Sequence, residues 1–149
     1  MNERQTFDRR VVDDFRARGR KTGGSFADFP LLVLHHTGAK SGAAYVSPLA
    51  FLPDGENWVI FAANGARPTH PGWYHNLRAE PSAVVEVEAG TFRVTARIAE
   101  GSEREELRER FREVSWRFRD YEKATVGREI PVVVLERLDG DGEGGAGAR

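Results

Sequence analysis

Apolar positions in this chain fall into short clustered runs, separated by glycine, proline and polar turns, with a few stretches spaced for helices. From Thr6 to Arg20, Phe7, Val11 and Phe15 recur four apart, which places them on one helical face, and Gly19, Gly23 and Gly24 close the segment. Leu31 to Leu34 follows Pro30 as a continuous apolar run and reads as a strand buried on both faces. Tyr45 to Leu52 reads as the next strand. Pro53-Asp54-Gly55-Glu56 carries the Asp-Gly hairpin signal, and Trp58 to Ala62 returns antiparallel. A short helix opens at Pro71 with Trp73 and Leu77 on one face, and Pro81 stops it. Ala83 to Glu88 and Thr91 to Ile98 form a second hairpin around Ala89-Gly90. In its second strand Phe92, Val94, Ala96 and Ile98 alternate with Arg93, Thr95 and Arg97. A two-residue turn at Ala89-Gly90 sets Glu86 opposite Arg93.

Ser102 opens the clearest helical pattern, with Glu105 three residues on as a capping box. Leu107, Phe111, Val114 and Phe118 form its apolar stripe, and Glu106–Arg110 and Glu113–Arg117 are spaced as i,i+4 ion pairs. Pro131 to Leu135 is a last buried strand. Residues 139–149, glycine and acid with no apolar residue before the closing Ala-Gly-Ala-Arg, read as a disordered tail behind a single domain over 1–138. The sum is about six strands, mostly in antiparallel hairpins, with three helices: a mainly β (α+β) chain whose close strand spacing favours a small barrel over a parallel sheet.

Composition narrows the class. The chain has 149 residues, 40% hydrophobic and 30% charged, with a formal net charge of −1. One packed core fits that length, and the charge balance gives no overall drive toward nucleic acid, so any anion site is local. There is no cysteine, which excludes disulfides, thiolate metal sites and cysteine nucleophiles. No apolar stretch approaches the roughly 20 residues of a membrane span, and Met1 to Arg10 is too polar for a signal peptide. A cytoplasmic protein is expected. The Arg-rich N-terminal segment leaves room for peripheral membrane contact or for an anionic cofactor tail, against the plainer reading of a solvated helix end.

Three features carry candidate chemistry. Thr37-Gly38-Ala39-Lys40-Ser41-Gly42 has two glycines that let successive N–H groups turn inward as an anion nest, with the Lys40 ammonium and the Ser41 hydroxyl beside them; an ordinary surface turn is the plainer alternative. Asn64-Gly65 and then Pro71 to Leu77 place a helix N-terminus beside Trp73 and Tyr74, suited to a planar anionic ring or simply to plugging a barrel end. Trp116 and Tyr121 do not fit the long helix's stripe well and either line a hydrophobic pocket or cover the barrel. No GxSxG, HExxH or Walker loop is present. His35 and His36 point to opposite strand faces, and His70 and His75 to different sides of a helix, so no metal site is expected.

In order, these stretches resemble the deazaflavin-dependent nitroreductase family, the F(420)H2-dependent quinone reductases. Phe15-Arg16-Ala17 with Gly19, Lys21, Gly23 and Gly24 is similar to the family's first helix end. Pro30 to Gly42, followed by Val46, Pro48 and Leu49, is similar to its signature loop. Pro71, Trp73-Tyr74, Asn76-Leu77, Ala79 and Pro81 are similar to its helix block, and Arg128 with Ile130 to Leu135 to its closing strand. The resemblance implies a split β-barrel and an oxidoreductase passing a hydride from reduced coenzyme F(420), an 8-hydroxy-5-deazaflavin, to a hydrophobic quinone or nitroaromatic acceptor. It also leaves room for a homodimer. By matching position, Lys40, Ser41 and Gly42 would hold the phosphate, Val46 and Pro48 would shape the wall, and Ala63, Asn64 and Gly65 would lie near the ring. Trp73 and Asn76 would support ring and tail, and Tyr121 would border the acceptor as the candidate proton donor. Ala39, Tyr45 and Asn64 stand where the family commonly carries cations, and His35-His36 where it carries threonines. The alternatives are an FMN-dependent reductase on the same barrel, Arg16, Arg18 or Lys21 as substitute cations, and a cofactor- or ligand-binding protein without turnover.

Overall fold

The computed structural model describes residues 3–20, 30–64, 67, 69–125 and 128–138. Seven strands form one antiparallel sheet: β1 (Leu31–Thr37), β2 (Ala44–Ala50), β3 (Leu52–Asp54), β4 (Asn57–Phe61), β5 (Ser82–Val87), β6 (Gly90–Ile98) and β7 (Val132–Arg137). Their spatial order is β2-β1-β5-β6-β7-β4-β3. The sheet's two edges, β2 and β3, are consecutive in the chain, so the sheet curls until one run, 44–54, serves both ends. This is why the expected strand Tyr45 to Leu52 is divided. Its first half pairs with β1 and its second with β4, around Phe51. The Phe51 N–H bonds Pro30 O at 3.0 Å, and its ring turns into the barrel core while Leu52 turns outward.

The alternation of strand side chains sorts the apolar residues into two main cores. Inside the curl lie Leu32, Leu34, Ile60, Val85, Val94 and Leu135, closed at one end by Trp73, Tyr74 and Leu77 of α2 (Gly72–Ala79). Outside, Val59, Val132 and Val134 meet Leu107, Phe111 and Phe118 of α3 (Gly101–Val114) and α4 (Trp116–Ala124). A smaller cluster seats Val12 and Phe15 of α1 (Glu3–Ala17) on Leu31 and Val33. The buried stripe of α1 is therefore Val12–Phe15 with Val11 partly covered, and Phe7 stays exposed.

Four local expectations are corrected. The helix expected from Ser102 is two helices. Ser115 is extended, with its Oγ accepting from the Phe118 N–H at 3.1 Å as the N-cap of α4. That break turns Val114 out to 54% exposure while Leu107, Phe111 and Phe118 stay buried. Ser102 forms no capping box, because the helix begins one residue earlier with Glu100 as its cap and without a side-chain bond there. Arg110 reaches Asp54 Oδ1 (2.9 Å) and Pro53 O (2.8 Å) rather than Glu106. Glu122 of α4 ties the helix pair together, accepting from Arg108 Nη2 and Arg112 Nε at 2.7 Å each. In the β5–β6 hairpin the turn is Glu88-Ala89, with Val87 opposite Gly90 and Glu86 opposite Thr91, so Arg93 faces Val84. Glu86 instead bonds across to α1 and β1. The tail 139–149, and the glycines Gly23 and Gly24, lie outside the described residues.

Candidate functional site

The loop joining β1 to β2 is a tight turn closed by its own backbone. Gly42 N–H donates to Gly38 O at 3.0 Å, and Gly38 N–H to Ala43 O at 2.8 Å. Gly42 has φ +72, a left-handed conformation that glycine adopts without strain. A Cβ on Gly38 would stand 2.7 Å from Ser41 Oγ and 2.8 Å from a Tyr45 ring carbon, so a side chain there would displace the Ser41 and Tyr45 side chains. Ser41 Oγ accepts from the Ala43 N–H at 3.1 Å, which leaves its O–H free to donate. Among the described residues, no group takes the amides of Lys40 or Ser41, and Lys40 has no ion-pair partner. The expected role of Gly42 is thereby narrowed: its N–H is used to close the turn, and the donors left open are the Lys40 and Ser41 amides, the Ser41 hydroxyl and the Lys40 ammonium.

Beneath the turn runs a polar chain that ties it to the barrel. Ala39 N–H donates to Asn76 Oδ1 at 2.9 Å. Asn76 Nδ2 lies 3.0 Å from His36 Nδ1, and His36 Nε2 lies 2.9 Å from Ser47 Oγ. A backbone N–H only donates, so Oδ1 must face Ala39 and Nδ2 must face the imidazole. Nδ1 is then the acceptor and the proton sits on Nε2, donating to Ser47. Burial holds the His36 imidazolium form back, with the neighbouring His35 adding to it, and lowers the pKa to about 4. The ring is 6% exposed, with Tyr45 stacked on it at 5.9 Å and 22°. The sequence alone gives His36 no site role; its adjacency to Asn76 arises from packing of α2 on β1, which no local pattern reveals.

The other expected residues are placed as follows. Val46 is exposed and Pro48 half-buried on β2, opposite His35 and Val33. Trp73 is 8% exposed in the barrel core. Ala63 is buried just beyond β4. Asn64, with φ +52, donates through Nδ2 to Thr69 O at 2.9 Å. Gly65 and Lys21 lie outside the described residues. Tyr121 is half-buried on α4 with its ring 6.4 Å from that of Phe61. The structure thus brings Lys40, Ser41, Gly42 and Asn76 together, and groups Ala63 and Asn64 near the Phe61–Tyr121 pair; no contact joins Tyr121 to the 38–43 turn among the described residues.

Arg128 emerges as an organiser of the second group. Its guanidinium donates to Ala63 O (2.7 Å), Ala62 O (3.0 Å) and Arg67 O (3.1 Å), and contacts His70 Nδ1 at 3.0 Å. Burial and the Arg128 charge both lower the pKa of His70, in keeping with Nδ1 acting as acceptor. The only advance signal was Arg128's place in the closing-strand block.

Two of the three expected substitute cations, Arg16 and Arg18, are already engaged. Arg16 donates to Glu86 through Nε (3.1 Å) and Nη2 (2.6 Å), and Arg18 to Asp14 at 2.8 Å. The Arg16 bonds hold the Glu86 carboxyl below its ordinary pKa, and His35 Nε2 meets it at 2.5 Å. Among the described residues no group of three or more His, Asp or Glu side chains is arranged to hold a metal, and no helix is long and apolar enough to cross a membrane. A cleft of about 230 Å³ between α2, β6 and β7 is lined by Tyr74, Leu77, Arg78, Ala96, Ile98 and Val133, away from the 38–43 turn.

Comparison with known proteins matches residues 7–137 to the family model for F(420)H2-dependent quinone reductase. An F(420)H2-dependent quinone reductase of Mycobacterium tuberculosis is 38% identical over 117 residues, covering 72% of this chain and 74% of that protein. The solved structure of an F(420)H2-dependent reductase, FDR-A, has a TM-score of 0.65 at 33% identity, over 72% of this chain and 94% of its own. A second structure, a domain-swapped dimer, has a TM-score of 0.67 at 30% identity, over 88% of this chain and 98% of its own. A heme binding protein from Mycobacterium smegmatis shares the fold alone, with a TM-score of 0.54 at 17% identity, over 78% of this chain and 52% of its own.

Proposed function

The chain belongs to the F(420)H2-dependent quinone reductase family and is a deazaflavin-dependent oxidoreductase on a split β-barrel; from that premise we propose how its own residues serve the reaction. The observation that carries the reading is the 38–43 turn, whose Lys40 and Ser41 amides and Lys40 ammonium are unclaimed while Asn76 fixes the turn from below. Open amides, a hydroxyl and one cation on a single tight turn suit a phosphate. The residues fit the cofactor's phosphate.

When bound in its reduced form, the cofactor supplies the hydride. The protein orients, excludes water and holds protons. Lys40 and Ser41 grip the phosphate, and Gly42 keeps the turn's shape. Val46 and Pro48 wall the site along β2. Ala63, Asn64 and Gly65 border the ring, with Trp73 as the apolar floor and Asn76 as the tie to α2. The Tyr121 hydroxyl holds a proton for a hydrophobic acceptor of quinone type. Residues 1–138 act as one unit, and two copies associate, in keeping with the dimeric structure similar to this chain.

The test is titration of the purified protein with F(420) and separately with FMN, followed by tryptophan fluorescence, together with Lys40→Ala. Loss of one charge-assisted contact of about 1.5–3 kcal/mol predicts affinity about tenfold to a hundredfold weaker. The melting temperature should stay unchanged, because Lys40 is exposed. An unchanged dissociation constant would sink the phosphate assignment, and binding of FMN alone would move the protein to flavin chemistry.

A further inference from the structure

We propose that His36 is a positioning residue for the cofactor's phosphate: its unprotonated Nδ1 holds the Asn76 carboxamide in the orientation that anchors the 38–43 turn through Ala39. The proposal rests on the reading that this turn holds the phosphate.

The chain of bonds has a fixed polarity. Ala39 N–H, Asn76 Oδ1, Asn76 Nδ2, His36 Nδ1, His36 Nε2 and Ser47 Oγ follow one another at 2.9, 3.0 and 2.9 Å. Each group is donor or acceptor because of the one before it. The other hydrogen bonds of the turn close within 38–43: Gly42 to Gly38, Gly38 to Ala43, and Ala43 to Ser41. Among the described residues, the Ala39–Asn76 bond is therefore the one hydrogen bond that joins the turn to α2. If the imidazole offers no acceptor, the Asn76 NH2 faces a half-buried wall without a partner. Turning that end to water satisfies it but swings Oδ1 away from Ala39. His36 is 6% exposed, so water has little access to the place of the missing nitrogen. Among the described residues His36 makes no hydrogen bond to the turn, so it acts through Asn76.

Wild type, His36→Phe, His36→Asn, Asn76→Leu and the double variant His36→Phe/Asn76→Leu should be titrated with F(420). Amide hydrogen exchange at Ala39 should be followed by NMR without cofactor. His36→Phe and Asn76→Leu are each expected to weaken binding about threefold to tenfold, and the double variant should be no weaker than the worse single one. His36→Asn, whose Oδ1 can stand in for Nδ1, should restore most of the affinity. Ala39 exchange should be faster in His36→Phe and close to wild type in His36→Asn. Multiplicative losses in the double variant would overturn the proposal. So would an unchanged Ala39 exchange rate in a folded His36→Phe. Failure of the wild type to bind F(420) would sink the phosphate reading instead, and the Ala39 exchange rates would still decide the anchor.

Discussion

The buried, neutral imidazole of His36 makes the fold itself sensitive to mild acid, independently of any ligand. In the unfolded chain a histidine titrates near 6.5, whereas in the folded protein burial holds His36 to about 4. Between those values the unfolded state carries the extra proton, so stability rises with pH. The contribution is fully present above pH 6.5, is lost as pH falls toward 4, and changes no further below that. A difference of about 2.5 pKa values corresponds to about 3 kcal/mol, with a steepest slope near 1.4 kcal/mol per pH step. His70 and Glu86 also titrate away from their ordinary values, so the wild-type profile alone does not isolate His36. The clean measurement is urea unfolding from pH 4 to 7.5 for wild type and for His36→Asn, taking the difference between the two curves. That subtraction removes the groups the two proteins share. The difference should grow by about 3 kcal/mol in favour of wild type as pH rises through this window. Parallel profiles would refute the burial and tautomer assigned to His36, and a wild type gaining relative stability in acid would mean the ring is charged in the fold.

Ser115→Ala should cost about 1–2 kcal/mol of unfolding free energy, because Ser115 is fully buried and its Oγ is the acceptor for the Phe118 amide at the start of α4; chemical denaturation measures it. Arg128→Met should release the carbonyls of Ala62, Ala63 and Arg67 together, lowering stability by about 2 kcal/mol and accelerating proteolysis near residue 67, whereas Arg128→Lys, with one compact ammonium, should recover only part of this.

The strands were legible in two ways: β1, β4 and β7 lie where continuous apolar runs put them, and β6 where a period of two does. What periodicity does not encode is which partner a strand takes. The run Tyr45 to Leu52 reads as one strand, yet it is divided at Phe51, where it changes partner from β1 to β4 as the sheet closes. The helix break at Ser115 had a local signal, a serine three residues before Phe118, but the apolar stripe ran through it and periodicity dominated the reading. The hairpin register failed for a similar reason: Gly90 suggested the turn, whereas it opens β6. At the site, the glycines and lysine of the 38–43 turn were visible in sequence. Asn76 was named through the resemblance, but its bond to the turn and its support by His36 and Ser47 were not visible, because those residues come from α2, β1 and β2.

The charge pattern sharpens what Lys40 means. This chain is rich in arginine, and the described arginines are extensively engaged with carboxylates or carbonyls: Arg16 with Glu86, Arg97 with Glu103 and Glu136, Arg108 and Arg112 with Glu122, Arg128 with backbone oxygens. Several of these pairs staple separate elements, α1 to β5 and α3 to α4. Arginine's fork suits such bidentate work, and lysine's single ammonium suits a mobile charge at a surface. In a protein with a net charge of −1, long-range attraction for an anion is weak, so recognition has to come from short-range groups. The 38–43 turn gathers those groups, with two open amides, a hydroxyl and an ammonium, and Asn76 spends its carboxamide oxygen on holding them in place. On this basis the cofactor's phosphate should be held chiefly by directed hydrogen bonds, so its affinity should fall only gently with added salt.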